Sequence, residues 1–354
     1  MKRSLLASAL LAIGLLSAPA TASASGVSQG IPAAHQQAFY CDSDTVPSDA
    51  KKTVLLVHGV GTNGEGTYSW NYQKSLRDAG YDVCLIDLPS SGRADLTESA
   101  DYVSSGIKLA HERLGKPVSV IGHSGGPTAT LWALRYDADA AAKVDDFISL
   151  AGALHGTTFV GAVCQVLGSC PAIGWQMRIG SDFMTALHAK PLPENVSVTS
   201  VYSRTDYGIQ PAHRVSHMDG ASNIAVQDVC TTKLPGHLGL LSDPAAHAVV
   251  MDALGNEGSA DPARLTNVDC SRLVAPGVNP AQSLTLAGSL LEYVKLLFEP
   301  RVNAEPALPA YAVADLEANK ASYETGRIGS SEGLAGSSLS FGSALADAAA
   351  SSSR

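Results

Sequence analysis

Residues 122–126 read Gly-His-Ser-Gly-Gly, which places Ser124 between glycines two positions away on either side. An apolar run at 118–121 precedes this segment, and a helical pattern at 128–135 follows it. A strand that ends in a tight Gly-x-Ser-x-Gly turn and continues as a helix is a nucleophile elbow, and its serine hydroxyl stands clear of the sheet edge. The alternative is an ordinary Gly-rich turn. The strand before and the helix after favour Ser124 as a catalytic nucleophile.

A serine hydroxyl needs a general base, which is usually a histidine held in one tautomer by a carboxylate. In hydrolases built on such an elbow, the carboxylate and then the histidine follow the serine along the chain, each on a loop after a strand. Asp206 directly follows a predicted strand at 196–202, and we predict it as the carboxylate. Asp219 precedes a glycine and is typical of a turn, while Asp228 lies in an apparent strand.

His237 is the histidine whose position fits the base. It lies on a loop that precedes a helix beginning near residue 243. His213 and His217 follow Asp206 too closely to lie on a separate later loop, and His247 falls inside a helical pattern. We therefore predict a triad of the elbow serine, Asp206 and His237.

The tetrahedral intermediate of acyl transfer needs two backbone N–H groups that already point at its negatively charged oxygen. We expect one from Gly125, directly after the nucleophile, and one from Val60 in the His-Gly-Val-Gly segment at 58–61. His58 and His123 also lie near the site, and we expect them to shape the pocket rather than to act as the base.

Strands alternating with helices predict a mostly parallel sheet with helices on both faces, with ligands at the carboxyl ends of the strands. Together with the elbow, this order predicts an α/β-hydrolase fold with a lid-like insertion after the fourth or fifth strand. We place that insertion at residues 157–173, and a covering loop without a gating role is the alternative. The predicted strands are 53–57, 81–88, 117–121, 144–150 and 196–202, and the predicted helices include 68–79 and 95–114.

The ends of the chain differ in composition from its middle. Residues 1–24 combine Lys2 and Arg3, a short apolar stretch and an Ala-Ser-Ala site, as in a secretory signal peptide that is removed. We predict a flexible arm at 25–39, a catalytic domain at 40–318 and a Ser-, Gly- and Ala-rich disordered tail at 319–354. The mature protein is then expected to be secreted, either extracellular or periplasmic.

The cysteine count and the charge restrict the class of protein. Six cysteines in an exported chain indicate disulfides, and we pair Cys164 with Cys170 because they lie close in sequence. No zinc-binding Cys and His spacing is present in the sequence, so we expect no metal and no cofactor. The net charge of −9, without a basic stripe, argues against nucleic acid as a partner. We expect a monomer.

Several motifs beyond the elbow resemble one family, that of Candida antarctica lipase B and its bacterial relatives, over about residues 41–311. The resemblance implies the triad of Ser124, Asp206 and His237, and two further disulfides, Cys41–Cys84 and Cys230–Cys270. The segments that carry it are 56–62, Ser124, 175–176, 180–181, 202–206, 210–211, His237 and 305–306.

The chain also departs from that family around the nucleophile. The family's namesake has a threonine where this chain has Val60, so only backbone donors are expected in the oxyanion hole. His123 replaces a tryptophan and Gly125 a glutamine, and Ala153 stands in place of an acyl-pocket aspartate. Substrate preference is therefore not implied by the resemblance.

These observations predict a secreted serine carboxylic-ester hydrolase, a triacylglycerol lipase that forms an acyl-enzyme on an ester or lipid substrate and contacts lipid interfaces transiently. A short-chain carboxylesterase or polyester depolymerase would use the same triad with a different pocket. An acyltransferase of the same fold and a non-catalytic binding protein are the remaining alternatives.

Overall fold

The computed structural model describes residues 30–47, 49–158, 164, 166–281 and 299–324. Its centre is a seven-stranded sheet with the strand order β1-β3-β2-β4-β5-β6-β7. Every neighbouring pair is parallel except β1 and β3, which are antiparallel. The strands are β1 Phe39–Cys41, β2 Thr53–Val57, β3 Asp82–Ile86, β4 Val118–His123, β5 Val144–Leu150, β6 Ser197–Tyr202 and β7 Ser222–Ala225.

The middle of the sheet is covered on both faces. Every residue of β2, β3 and β4 is buried. Because successive side chains of a strand point to opposite faces, complete burial requires packing above and below the sheet. Continuous apolar runs in the sequence therefore became central strands, and the α/β-hydrolase fold predicted from them is confirmed.

Helices and short helical turns connect the strands. The long helix Leu96–Leu114 packs against β2, β3 and β4, and Pro244–Gly255 packs against β5 and β6. The others that the structure describes are Ala33–Ala38, Gly64–Tyr68, Tyr72–Asp78, Pro89–Gly92, Gly126–Tyr136, Ala138–Ala141, Ala172–Gln176, Asp182–Leu187, Ala212–Val215, Val226–Val229 and Ala310–Glu324, with 3-10 turns at Gly239–Ser242 and Pro262–Arg264.

Two sequence predictions inside the domain need correction. The helix expected at 68–79 begins only at Tyr72, where Asn71 accepts a hydrogen bond from Tyr72 N–H, and Tyr68 is the last residue of a separate helix, Gly64–Tyr68. Asp228 lies in the helix Val226–Val229 rather than in a strand. The edge strands β1 and β7 were not predicted.

The predicted flexible arm at 25–39 is wrong for its described part, because residues 33–38 form a helix. His35 Nδ1 lies 2.8 Å from Ser105 Oγ, and its ring packs 4.0 Å from that of Tyr102. At the other end, the helix Ala310–Glu324 extends past the predicted start of the tail at 319, and Asn319 donates to Thr185 O. The signal peptide and the rest of the tail lie outside the described residues.

Three disulfides join the six cysteines: Cys41–Cys84, Cys164–Cys170 and Cys230–Cys270. The first links residues that face each other across β1 and β3, so it fastens the antiparallel edge strand to the sheet. Within the described ranges, none of the helices is long and apolar enough to cross a membrane.

Several residues that carry the family resemblance hold loops together. Gln176 accepts from Leu96 N–H at 2.9 Å and donates to Asp95, which ties the end of the helix Ala172–Gln176 to the start of the helix Leu96–Leu114. Glu305 accepts from the N–H groups of Asp182 and Phe183 at the start of another helix. Their role is to stabilise the loops between β5 and β6, where the lid-like insertion was predicted. Residues 159–163 and 165 of that insertion lie outside the described part of the chain.

Candidate active site

The elbow joins β4 to the helix Gly126–Tyr136, and Ser124 sits at its apex with a left-handed φ of 61°. Non-glycine residues adopt such a conformation only where the surroundings hold it. Here Ser124 N–H donates to Leu150 O, and Ala153 N–H donates to Ser124 O. A Cβ on Gly126 would lie 2.6 Å from two carbonyl oxygens of the neighbouring chain segment. Glycine is therefore required at this flank, as the pattern predicts.

Asp206 lies on the loop after β6, at the carboxyl edge of the sheet. Its Oδ1 accepts from the N–H groups of Gly208 at 2.7 Å and Ile209 at 3.2 Å. Its Oδ2 lies 2.9 Å from His237 Nδ1, and the carboxylate is buried. Two backbone donors therefore fix the carboxylate and aim it at the imidazole.

His237 completes the chain of contacts from a third loop. Its Nε2 lies 2.8 Å from Ser124 Oγ, within hydrogen-bond reach of the hydroxyl. A Cβ on Gly208 would lie 2.5 Å from the His237 ring, so only glycine lets the Asp206 loop approach the imidazole so closely. With a carboxylate on Nδ1, the ring keeps its proton there and leaves Nε2 free to accept one from the serine.

A second imidazole lies against the first. His123, directly before the nucleophile, has its ring centroid 5.0 Å from that of His237, and its Nε2 lies 3.1 Å from His237 O. Burial, and then the neighbouring imidazole, lower the pKa of His123 to about 3. His123 is therefore neutral in the neutral pH range, donates to the His237 carbonyl, and adds no charge beside the triad.

The two predicted oxyanion donors lie side by side next to the nucleophile. A Cβ on Gly125 would lie 3.8 Å from Val60 N, and one on Gly59 would lie 3.2 Å from Ser124 Oγ. Among the hydrogen bonds of the described residues, none uses the N–H of Val60 or of Gly125. Within the described residues, both N–H groups are therefore left without an intramolecular acceptor.

The other candidates for the carboxylate and the general base contact residues outside the site. Asp228 pairs with Arg204 on the surface, and Asp219 lies 3.4 Å from His217. His247, on the helix Pro244–Gly255, stacks on Tyr72. Across the described ranges, no group of three or more His, Cys, Asp or Glu side chains could hold a metal ion.

Two contributors to the site were not predicted. The sequence gives no sign that residue 208 must be glycine. Glycine is required there because the His237 loop, 29 residues later in sequence, packs against it. The bond from His123 to the His237 carbonyl likewise depends on the tertiary approach of two loops. The arrangement as a whole has the parts needed for acyl transfer through a serine nucleophile.

The sequence is similar to that of known proteins over more than half of its length. The sequence pattern described as the alpha/beta hydrolase family matches residues 54–248. Lipase B of Pseudozyma antarctica is 29% identical over 276 residues, which cover 75% of this chain and 80% of that protein.

The structure is also similar to solved structures of lipases. Aspergillus fumigatus lipase B has a TM-score of 0.70 at 28% identity, with 79% of this chain and 71% of that chain covered. The propeptide form of the Bacillus licheniformis lipase BlEst2 has a TM-score of 0.51 at 17% identity, covering 63% of this chain and 54% of that one. At that identity the second likeness concerns the fold alone.

Proposed function

The chain belongs to the alpha/beta hydrolase family, and from this premise we propose that it is a secreted serine carboxylic-ester hydrolase that acts as a triacylglycerol lipase. The relatives named lipase B support carboxylic-ester hydrolysis as the reaction class. The proposed catalytic residues are Ser124, His237 and Asp206, with the N–H groups of Val60 and Gly125 as the oxyanion hole.

One observation carries the proposal: the continuous contact from Ser124 Oγ to His237 Nε2 at 2.8 Å and from His237 Nδ1 to Asp206 Oδ2 at 2.9 Å. The three residues come from three separate loops at the carboxyl edge of the sheet, so no local sequence constraint brings them together. A fold that required only stability would not need a left-handed serine in contact with a buried histidine and carboxylate.

In the acylation step, Ser124 Oγ forms a bond to the ester carbonyl carbon while its proton passes to His237 Nε2. The carbonyl oxygen becomes an oxyanion and accepts hydrogen bonds from the N–H groups of Val60 and Gly125. Asp206 stabilises the resulting imidazolium through Nδ1–H. His237 then returns the proton to the alkoxide oxygen as its bond to carbon breaks, which releases the alcohol and leaves an acyl-serine.

In the deacylation step, a water molecule takes the place of the alcohol. His237 removes its proton as the water oxygen bonds to the acyl carbon. The second tetrahedral intermediate collapses by breaking the bond to Ser124 Oγ, which regains the proton. Each donor of the oxyanion hole contributes about 10²–10³-fold to kcat in comparable sites.

Two surface features support the proposed substrate and location. Val166 and Leu167, on the loop closed by Cys164–Cys170, are 85% and 56% exposed, which suits transient contact with a lipid interface. Three disulfides suit an oxidising compartment outside the cytosol. The protein would then meet its substrates at emulsified or membrane lipid surfaces.

The test combines a covalent label with a substrate series. A p-nitrophenyl phosphonate should modify Ser124 at one-to-one stoichiometry, located by mass spectrometry of the peptide, and Ser124→Ala should abolish labelling and ester turnover. Ser149→Ala is the matched control, because Ser149 on β5 is also buried but its hydroxyl makes no hydrogen bond to His237, and it should stay active. Retained turnover in Ser124→Ala would end the proposal for the triad.

The substrate class is tested separately. Rates on p-nitrophenyl esters from acetate to palmitate, together with emulsified triolein, separate a lipase from a short-chain esterase. Hydrolysis of long-chain and emulsified substrates is expected. Activity restricted to acetate and butyrate would support the carboxylesterase alternative instead.

A further inference from the structure

The oxyanion loop, residues 58–61, is held from behind by contacts that the reaction itself does not use. A peptide group is planar and trans, so the C=O of Gly59 and the N–H of Val60 belong to one rigid peptide group and point in opposite directions. Whatever fixes Gly59 O therefore also fixes the direction of the Val60 N–H. The residues that contact Gly59 O decide where the proposed donor points.

The first of these contacts comes from His58. Its Nε2 lies 2.8 Å from the nitrogen of Leu88, and a backbone N–H can only donate, so Nε2 accepts. The ring is neutral, because complete burial lowers the pKa of His58 below its usual value. The proton is therefore on Nδ1, which lies 2.7 Å from Gly59 O and donates to it.

The second contact comes from the turn Pro89–Gly92 after β3. Ser90, Ser91 and Gly92 have left-handed φ values of 50°, 55° and 69°. Ser91 O accepts from Gly61 N–H at 2.8 Å. This bond fixes the peptide that follows the Val60 residue, so the loop is held on both sides of its donor.

Gly92 also lies directly against the Gly59–Val60 peptide group. A Cβ on Gly92 would lie 2.6 Å from Gly59 O and 3.4 Å from Val60 Cα, closer than the carbonyl could accept without moving. The turn Pro89–Gly92 is itself held by the next residue, Arg93, whose Nε donates to Glu299 Oε1 at 2.7 Å in a largely buried ion pair. Left-handed serines persist only where the surroundings hold them, and this turn is held against the oxyanion loop.

We propose that His58 and the left-handed turn at 90–92 together orient the Gly59–Val60 peptide so that its N–H points at the developing oxyanion beside Ser124. His58 is a positioning residue, because its two ring nitrogens bond to the backbone of Gly59 and Leu88 and not to the reacting atoms. The inference rests on the proposed function, since Val60 is the oxyanion donor of that mechanism.

Two substitutions at His58 separate its two bonds. The amide nitrogen of Asn lies as many bonds from Cα as Nδ1, so His58→Asn can keep the donor to Gly59 O and loses the acceptor for Leu88. The amide oxygen of Gln occupies the place of Nε2, so His58→Gln keeps the acceptor and loses the donor. Each variant removes one buried hydrogen bond, and a purely structural role predicts equal effects.

We expect His58→Gln to lower kcat by about 100-fold with KM within about threefold, because a misdirected donor loses stabilisation that exists only in the transition state. His58→Asn should lose less than about 10-fold by the same reasoning. Rates are expressed per active site titrated with the phosphonate. Equal losses in the two variants, or losses that appear in KM, would overturn the positioning role.

A glycine pair decides the outcome if a His58 variant does not fold. Gly92→Ala adds a methyl against Gly59 O, and we expect kcat to fall by about 100-fold. Gly115→Ala is the matched control, because Gly115 has a similar φ of 64° but no atom within 4 Å of the added Cβ. It shares the backbone strain and should keep wild-type kcat.

The two proposals fail in different ways. Absence of ester turnover and of Ser124 labelling in the wild-type protein would refute the proposed function. Normal labelling and turnover in the wild type, with Gly92→Ala as fast as Gly115→Ala, would refute only the positioning of the oxyanion loop.

Discussion

Replacing Asp206 by asparagine should inactivate the protein through the wrong tautomer of His237. The N–H groups of Gly208 and Ile209 both donate to Oδ1 at 2.7 and 3.2 Å. An asparagine amide can accept these two bonds only if its oxygen occupies the Oδ1 place. Its NH₂ group then takes the place of Oδ2, 2.9 Å from His237 Nδ1.

The NH₂ group can only donate and takes the nearer place, 2.9 Å from Nδ1 against 3.1 Å for the oxygen, so it favours a lone pair at Nδ1 and the proton on Nε2. A protonated Nε2, 2.8 Å from Ser124 Oγ, cannot accept the proton of the nucleophile. A serine protease with the corresponding substitution loses about 10⁴ in kcat. That factor corresponds to roughly 5 kcal/mol in the activation barrier.

The assay is the steady-state hydrolysis of p-nitrophenyl butyrate, with active sites titrated by the phosphonate. Asp206→Asn conserves volume and both backbone bonds, so its thermal midpoint should stay near that of the wild type. Asp228→Asn makes the same chemical change at an exposed acid paired with Arg204, and it should leave kcat unchanged. An Asp206→Asn variant that keeps a tenth of wild-type kcat would refute the tautomer argument.

Two further predictions concern stability. Burial, and to a lesser extent Arg272, lowers the pKa of His247 from 6.5 to about 4. On acidification the unfolded chain therefore takes up this proton before the folded protein does. The free energy of unfolding that is present above pH 6.5 is lost as the pH falls from 6.5 to 4. His247→Phe should remove roughly 3 kcal/mol of that loss, seen as a shallower pH dependence of urea unfolding, whereas an unchanged slope would contradict this origin. Removing Cys41–Cys84, which closes a loop of 43 residues, should lower the free energy of unfolding by about 4 kcal/mol. Removing Cys164–Cys170, only 6 apart, should cost about 2 kcal/mol, and the reverse order in calorimetry would contradict the loop-entropy account.

The sequence was most informative where a local pattern and its chemistry coincide. The strands at 53–57 and 144–150 have the bounds expected from their apolar runs. Chain order along the fold then singled out Asp206 and His237 from many carboxylates and histidines, and the structure brings both to Ser124. That the three act in catalysis stays a proposal.

Features that depend on distant segments were not readable from the sequence. β1 has 3 residues and β7 has 4, too few for a periodic pattern, and each exists because a neighbouring strand offers an edge. The helix Ala33–Ala38 consists mostly of good helix formers but has only 6 residues, too few to be stable or to show a periodic pattern alone, and it packs on the helix Leu96–Leu114. Short elements such as these are stabilised by tertiary contacts rather than by local preference.

The departures from the family around the nucleophile are compatible with an unchanged reaction because backbone groups hold much of the site. Asp206 is aimed by two N–H groups, and the N–H of Ala153 holds Ser124 O whatever side chain residue 153 carries. Val60 supplies an N–H that any residue except proline would supply. Side chains at these positions can therefore change without moving the reacting atoms. His123 differs, because its side chain itself holds the His237 carbonyl, so substitutions there should alter catalysis as well as specificity.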